Sequence, residues 1–450
     1  MKDSIDFGSM EIPRLFRKLL IPTVLGMVFS AAFVITDGIF VGRGVGSDAL
    51  AAVNITAPLF LINTGVGLMF GVGASVVASI HLAHGKVKTA RINVTQAVVV
   101  SSLLLVAYSL AICLFAPGAA RLLGSSERLM PLVLEYMYWF VPFLPFSALL
   151  SSGMFFVRLD GAPNYAMLCN AVPAVINIAL DYVFIFLFGW GMFGAALATS
   201  LGYVVGAGMI LVYLSRRRNV IRFCRVKTSR RSLRLTRRNV GYMCRLGLST
   251  FLCEGAIAAM MFTGNYVFIR YLGEDGVAAF SIACYFFPII FMVYNAIGQS
   301  AQPILSYNFG AGNGARVRKA FRLALLTAVA AGLGFFGLTA LFSRWIVAMF
   351  IDSSCPACAI AVRGLPLFAS GFVFFAVNIV SIGYFQSVER PRPAMAVTVL
   401  RGFVFMAACF FGLPLLLGVE GIWLAVPLAE ALTFAVVAAI YGRTRLKSAF

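Results

Sequence analysis

Ala31-Ala-Phe-Val-Ile-Thr-Asp-Gly-Ile-Phe-Val-Gly-Arg43 decides how the rest of the chain is read. Asp37 is the only charge between Leu19 and Gly42, a run long enough to cross a bilayer core, which takes about 20 residues. A carboxylate there costs roughly 2.5–3.5 kcal/mol on insertion scales. Asp37 therefore needs a partner or a task, and the expectation is that it helps to bind an ion inside a membrane.

Working outward, the composition agrees. Of 450 residues, 61% are hydrophobic and 12% charged, against about 25% charged in soluble proteins. The apolar runs are continuous rather than alternating, which excludes a barrel. The class is all-α integral membrane. Met1–Lys18 mixes acids with bases ahead of a long apolar run, so it reads as an amphipathic lead-in on the membrane surface rather than a cleavable signal.

Polar, Gly and Pro punctuation gives twelve spans, at about 15–41, 50–80, 92–115, 130–157, 164–188, 192–214, 241–269, 277–307, 318–343, 360–386, 394–416 and 421–441. Pro22, Pro58, Pro142, Pro173, Pro303 and Pro414 fall inside them and predict kinks. Twenty-nine Lys and Arg fall on the side that holds both termini and six on the other, with Arg401 left within a span. Both termini are thus expected in the cytoplasm, and the chain in the inner (cytoplasmic) membrane. The same asymmetry explains the net charge of +20 without nucleic acid. The expected organisation is a six-helix lobe over residues 1–214, a basic cytoplasmic linker over 215–239 and a second lobe over 240–450. Ser215–Asn239 contains no acid and reads as a solvated segment held near anionic headgroups.

The two halves repeat. An offset of 227 residues places Gly46-Ser-Asp-Ala-Leu-Ala-Ala52 on Gly273-Glu-Asp-Gly-Val-Ala-Ala279, Arg43 on Arg270, Gly85 on Gly312 and Arg91 on Arg318. It also places Gly191, Gly194, Leu197, Ala198 and Leu201 on Gly418, Gly421, Leu424, Ala425 and Leu428. Pro163 and Met167 match Pro391 and Met395 one residue further on. Two six-span halves of the same orientation should be related by a pseudo-twofold axis along the membrane normal. That is the build of a transporter working by alternating access.

The repeat also serves as a control. Asp37, Asn177, Asp181 and Thr199 fall on Gly264, Val404, Ala408 and Val426, so the second half folds without these polar groups. Asn177 and Asp181, four apart, share one helix face. At about 1.5 Å per residue, Asp37, Asp181 and Thr199 all lie in the outer half of the bilayer. Two carboxylates close together in a low dielectric cannot both stay ionised cheaply, so such a pair would hold a proton or be neutralised by Na⁺. Asn177 and Thr199 would add neutral oxygens. Asp37, Asn177, Asp181 and Thr199 are therefore the candidate cation-coupling residues.

Glu254 is a mid-membrane acid of the second half, suited to meet a cationic substrate. Glu135 and Glu430 make weaker claims, and Arg401 is a possible counter-charge to any of the three. Candidates for a cavity wall are Tyr136, Tyr138, Phe155, Met260, Tyr285, Phe286, Met292 and Tyr294. Aromatic and Met surfaces suit bulky, flat organic cations. Gly67 and Gly71 have small-xxx-small spacing and read as a close helix contact. His81 and His84 lack a third ligand for zinc, and Cys355-Pro-Ala-Cys358 is a weak disulfide or metal signal.

Four segments carry a resemblance. They are Asp37-Gly-Ile-Phe-Val-Gly-Arg43 with its continuation to Ala52, Asn177-Ile-Ala-Leu-Asp181 leading to Gly191-Met-Phe-Gly-Ala-Ala-Leu-Ala-Thr199, Gln302-Pro-Ile-Leu-Ser-Tyr-Asn-Phe-Gly-Ala-Gly312, and Gly383-Tyr-Phe-Gln-Ser-Val-Glu-Arg-Pro391. Through them the chain resembles the MATE (multidrug and toxic compound extrusion) family along nearly its whole length, closest to the MepA-like and DinF-like bacterial branch. The resemblance implies twelve helices in two lobes, and export of mainly cationic drugs in exchange for H⁺ or Na⁺. It also implies that Asp37, Asn177, Asp181 and Thr199 match the family's first-lobe cation site. Glu254 resembles the span-seven acid of the NorM-like branch, but span ten holds no acid to accompany it. Expected partners are organic cations, the coupling ion and the bilayer. The expected state is a monomer, with no cofactor, no metal and no nucleic acid. A lipid-linked oligosaccharide flippase is the alternative, disfavoured because only Arg401 lies deep. An integral-membrane enzyme is a further one, without a metal cluster or nucleophile–base pair to support it.

Overall fold

The computed structural model describes residues 5–226, 229–350 and 356–447, and among them every regular element is helical. Cys355, half of the candidate CxxC pair, lies outside the described residues. The first helices are α1 (Ile12–Gly44), α2 (Ser47–Ala83), α3 (Val87–Leu114) and the short α4 (Ala116–Leu122). α5 (Met130–Phe140) runs through a 3-10 turn at Val141–Phe143 into α6 (Leu144–Leu159). Pro142 sits in that turn, where its missing N–H interrupts the helical ladder. α7 (Pro163–Asp181) passes into a π-helical segment, Tyr182–Leu187, and α8 (Gly191–Ser215) follows.

The remaining helices are α9 (Arg230–Gly310), α10 (Gly314–Ala348), α11 (Pro356–Ala369), α12 (Phe372–Ser387), α13 (Pro391–Val399) and α14 (Phe405–Lys447), with a π-helical Leu400–Val404 joining the last two. α11 and α12 form one crossing bent by 45°. α9 breaks at Gly273 and α14 at Gly418, so each supplies two crossings. Counted in this way, the described residues make twelve crossings of a multi-pass membrane protein.

The repeat is visible in the backbone. Gly85 and Gly312 have φ of 71° and 70°, Gly191 and Gly418 of 55° and 60°, and Gly46 and Gly273 of 128° and 64°. Each pair is separated by the same 227 residues. Side chains with a Cβ rarely adopt this region, which explains why glycine stands at both copies of each turn. Gly67 and Gly71 serve close approach instead. A Cβ at Gly67 would stand 2.8 Å from the Ala148 carbonyl oxygen, and one at Gly71 2.8 Å from the Ser152 Cα, so α2 and α6 meet backbone to backbone there.

The chain forms two compact units. The first is the chain up to Phe251 with Ser306–Asn313, and the second is Leu252–Leu305 with the chain from Gly314 onward. The start of α9 belongs to the first unit, where Met243 and Leu246 join the core built on Phe156, Tyr213 and Leu214. The Arg-rich segment before α9 is not simply solvated. Arg91 Nε donates to the Val220 carbonyl (2.8 Å), Ile221 N–H donates to the Asp160 carboxylate (2.6 Å), and Cys224 N–H donates to Thr95 Oγ1 (3.2 Å). Ile221 is fully buried. The arginines around these anchors, including Arg216, Arg217, Arg218 and Arg225, remain exposed.

Candidate functional site

Helix packing in the first unit brings together residues far apart in sequence. α1 packs along α7, and α7 along α8. Asp37 stands two turns before the end of α1, Asn177 and Asp181 occupy one face of the last turn of α7, and Thr199 lies two turns into α8. Pro173 breaks the helical bonding of α7 one turn before Asn177, and the π-helical segment starts directly after Asp181. Such irregular turns recur where a helix must present polar side chains.

The geometry is that of an acid cluster without a base. Thr199 Oγ1 donates to Asp37 Oδ1 at 2.9 Å, and Asn177 Nδ2 lies 3.5 Å from Thr199 Oγ1. Asp181 and Asn177 are fully buried, Thr199 is 4% exposed and Asp37 9%. Asp181 lies within electrostatic range of Asp37, and Asn177 neighbours both. Yet neither oxygen of Asp181 accepts a hydrogen bond from any described residue, and Asn177 Oδ1 has no donor either. An unsatisfied buried polar atom costs about 1–3 kcal/mol, more when charged. Three unpaired oxygens next to a second carboxylate form a donor set for a proton or a small hard cation such as Na⁺.

Aromatic rings wall the cluster. Tyr203, four residues after Thr199, packs on Phe33 (5.7 Å), Phe60 (5.9 Å) and Phe140 (6.5 Å). Tyr136, 4% exposed, packs against Phe140 at 4.9 Å with the rings tilted by 31°. Both tyrosines lie in electrostatic range of Asp37. Of the cavity-wall candidates, Tyr136 is thus beside the acids, and Tyr203 is a neighbour the sequence reading missed. Its only signal was the i, i+4 spacing from Thr199.

The other candidates lie on α5, α6 and α9. Tyr138 is 48% exposed on α5. Tyr285 is 66% exposed and stacks on Phe350 at 5.9 Å. Met260 is buried and Met292 half-buried, both on α9. Glu254 is half-buried on α9 near Cys253, and Glu135 is exposed on α5.

The second unit holds a different polar cluster. Arg401, 1% exposed, donates from Nε to Glu430 Oε1 at 2.7 Å. Asn378 Nδ2 donates to Glu430 Oε2 (2.8 Å) and to the Glu430 carbonyl oxygen (2.9 Å). The guanidinium also lies 4.4 Å over the Phe375 ring. Arg401 is therefore the partner of Glu430, among the three acids for which it was a candidate.

Comparisons with known proteins agree with this architecture. The MatE family model matches residues 22–183 and 254–410. The FAD transporter of Shewanella oneidensis is 27% identical over 337 residues, which cover 72% of this chain and 71% of that protein. The multidrug export protein MepA of Staphylococcus aureus is 22% identical over 426 residues, covering 92% and 89%. A solved structure described as the outward-facing conformation of a multidrug resistance MATE family transporter of the MOP superfamily matches with a TM-score of 0.85. It is 22% identical and covers 98% of this chain and 97% of that one. The shared fold is twelve helices in two lobes.

Proposed function

We propose, from the premise that this chain belongs to the MatE family of transporters, that it is a secondary active multidrug antiporter. It exports cationic amphiphilic compounds in exchange for inward H⁺ or Na⁺ by alternating access. Asp37 and Asp181 carry the coupling cation, with Asn177 and Thr199 orienting the carboxyls. The observation that supports this most is the Asp181 carboxyl, buried beside a second acid with both oxygens unpaired. A cation that enters from one side and leaves to the other satisfies those oxygens without a permanent partner. The same cycle needs no cofactor, because an ion gradient supplies the energy. The chain works as a monomer in the cytoplasmic membrane, with both termini on the basic, cytoplasmic side. Glu254, Tyr136, Tyr138, Met260, Tyr285 and Met292 contribute to drug binding.

Expressed in a drug-sensitive host, the wild type raises resistance to ethidium, whereas Asp37→Asn and Asp181→Asn do not. Export by both variants at the wild-type rate would overturn the coupling assignment. A second reading has one observation in its favour, the 27% identity to an FAD transporter. Under that reading the same cells release FAD into the medium and gain no ethidium resistance. A flippase reading gains nothing from Arg401, whose charge is neutralised by Glu430.

A further inference from the structure

We propose that Arg401 is a resident cation. Its guanidinium fills at Glu430, in the second unit, the place that an exchangeable H⁺ or Na⁺ fills at Asp37 and Asp181 in the first, so Glu430 takes no cation from solution. The inference rests on the proposed function, since it presupposes that the first unit's acids exchange a cation.

The two clusters hold corresponding places in their own units. The 227-residue offset puts Glu430 on Tyr203, which is in electrostatic range of Asp37, and Val426 on Thr199, so that Glu430 follows Val426 by one helical turn as Tyr203 follows Thr199. Arg401 falls on Ala174, or on Pro173 with the one-residue step seen earlier in that helix, and either lies within about one turn of Asn177. Each cluster also includes an asparagine, at non-equivalent positions: Asn177 on α7 in one unit and Asn378, which the offset places on Ser151, in the other.

What differs is the electrical balance. In the first unit's acid cluster three acceptor oxygens, both of Asp181 and Asn177 Oδ1, stand without donors among the described residues. In the second, both Glu430 oxygens are engaged, one by Arg401 and one by Asn378. A guanidinium is never deprotonated in a protein, so unlike a proton or Na⁺ it cannot leave. It is pinned as well. It rests on one ring, Phe375, that itself stacks on Phe287 at 4.6 Å, and it springs from the π-helical Leu400–Val404.

Asn378 Oδ1, beside the carboxylate, has no donor. With the guanidinium removed, that oxygen and the Glu430 carboxylate form the same kind of ligand pair as Asn177 Oδ1 and Asp181. Other ionisable groups in range are the Tyr294 hydroxyl, toward Glu430, and the Cys253 thiol, toward both members of the pair.

The test counts exchangeable cations per folded chain, by ²²Na⁺ equilibrium binding and by proton uptake, on the purified full-length protein. Arg401→Ala binds one more cation per chain than the wild type, and Arg401→Ala/Glu430→Gln returns to the wild-type count. A folded Arg401→Ala with the wild-type count overturns the proposal. Should Arg401→Ala unfold in choline buffer at neutral pH, Na⁺ or mild acid restores it, and failure of both to do so overturns the proposal equally. Asp37→Asn/Asp181→Asn, made in the wild-type and Arg401→Ala backgrounds, lowers the count in each. If it does not, the first-unit reading fails, and that result is read separately from the extra cation at Glu430.

Discussion

The first unit buries Asp37 and Asp181 with a threonine, an asparagine and no base, whereas the second buries Glu430 against an arginine. Both clusters sit in apolar surroundings, both include an asparagine, and both involve the fifth and sixth crossings of their unit. One is left short of positive charge, and in the other the carboxylate already has its counter-charge. An incomplete cluster has to be finished from outside, and whatever finishes it can be exchanged. A complete one is architecture. The charge balance of a buried site, rather than the presence of an acid, thus separates a coupling position from a structural one.

The same acid-to-amide change should have opposite consequences in the two places. Glu430→Gln strands a buried guanidinium, and breaking a buried pair from one side costs about 3–5 kcal/mol. The melting temperature of Glu430→Gln should fall sharply, and Glu430→Gln/Arg401→Met should recover most of the loss. Asp181→Asn replaces a buried carboxyl that has no donor among the described residues, so its melting temperature holds or rises while ethidium export stops. An Asp181→Asn that melts as far below the wild type as Glu430→Gln would erase the distinction between the clusters.

Smaller effects sharpen it. Thr199→Ala removes the hydrogen bond from Thr199 Oγ1 to the Asp37 carboxyl, a contribution of about 1.5–3 kcal/mol when the acceptor is charged. The apparent affinity for the coupling ion should weaken at least several-fold, read as a shift in the ion concentration that gives half-maximal export, and Thr199→Ser should keep it. Phe375→Leu deletes the ring under Arg401, worth about 0.5–2 kcal/mol as a cation–π contact. Its melting temperature should drop modestly with drug export intact, since this cluster stays closed through the cycle.

Much of this was legible in the chain. The offset of 227 residues exposed the repeat because glycine is needed wherever the backbone turns left-handed, at Gly85 and Gly312 and at Gly191 and Gly418. It also picked out Asp37, Asn177, Asp181 and Thr199 as residues that the second half does without. The structure brings the four into one cluster, which helix periodicity and depth made geometrically possible. The same control was blind to Glu430 and Arg401. Both lie opposite residues of other types, and their pairing depends on how the helices are rotated toward each other, not on their separation in sequence.

The linker shows the same limit. Twelve basic residues from Arg216 to Arg245 gave an impression of free solvation. Yet Asp160, Thr95 and Arg91, all distant in sequence, hold its middle in place and bury Ile221. The boundary expected between residues 269 and 277 is there, by contrast, since the non-helical backbone of Gly273 divides α9 into two crossings.

The most direct test of the account is gradient-driven transport in proteoliposomes loaded with ethidium. An imposed proton or Na⁺ gradient should drive ethidium movement by the wild type, and neither gradient should drive it through Asp37→Asn or Asp181→Asn. Gradient-driven ethidium movement at the wild-type rate in both variants would contradict the claim that these two acids carry the coupling ion.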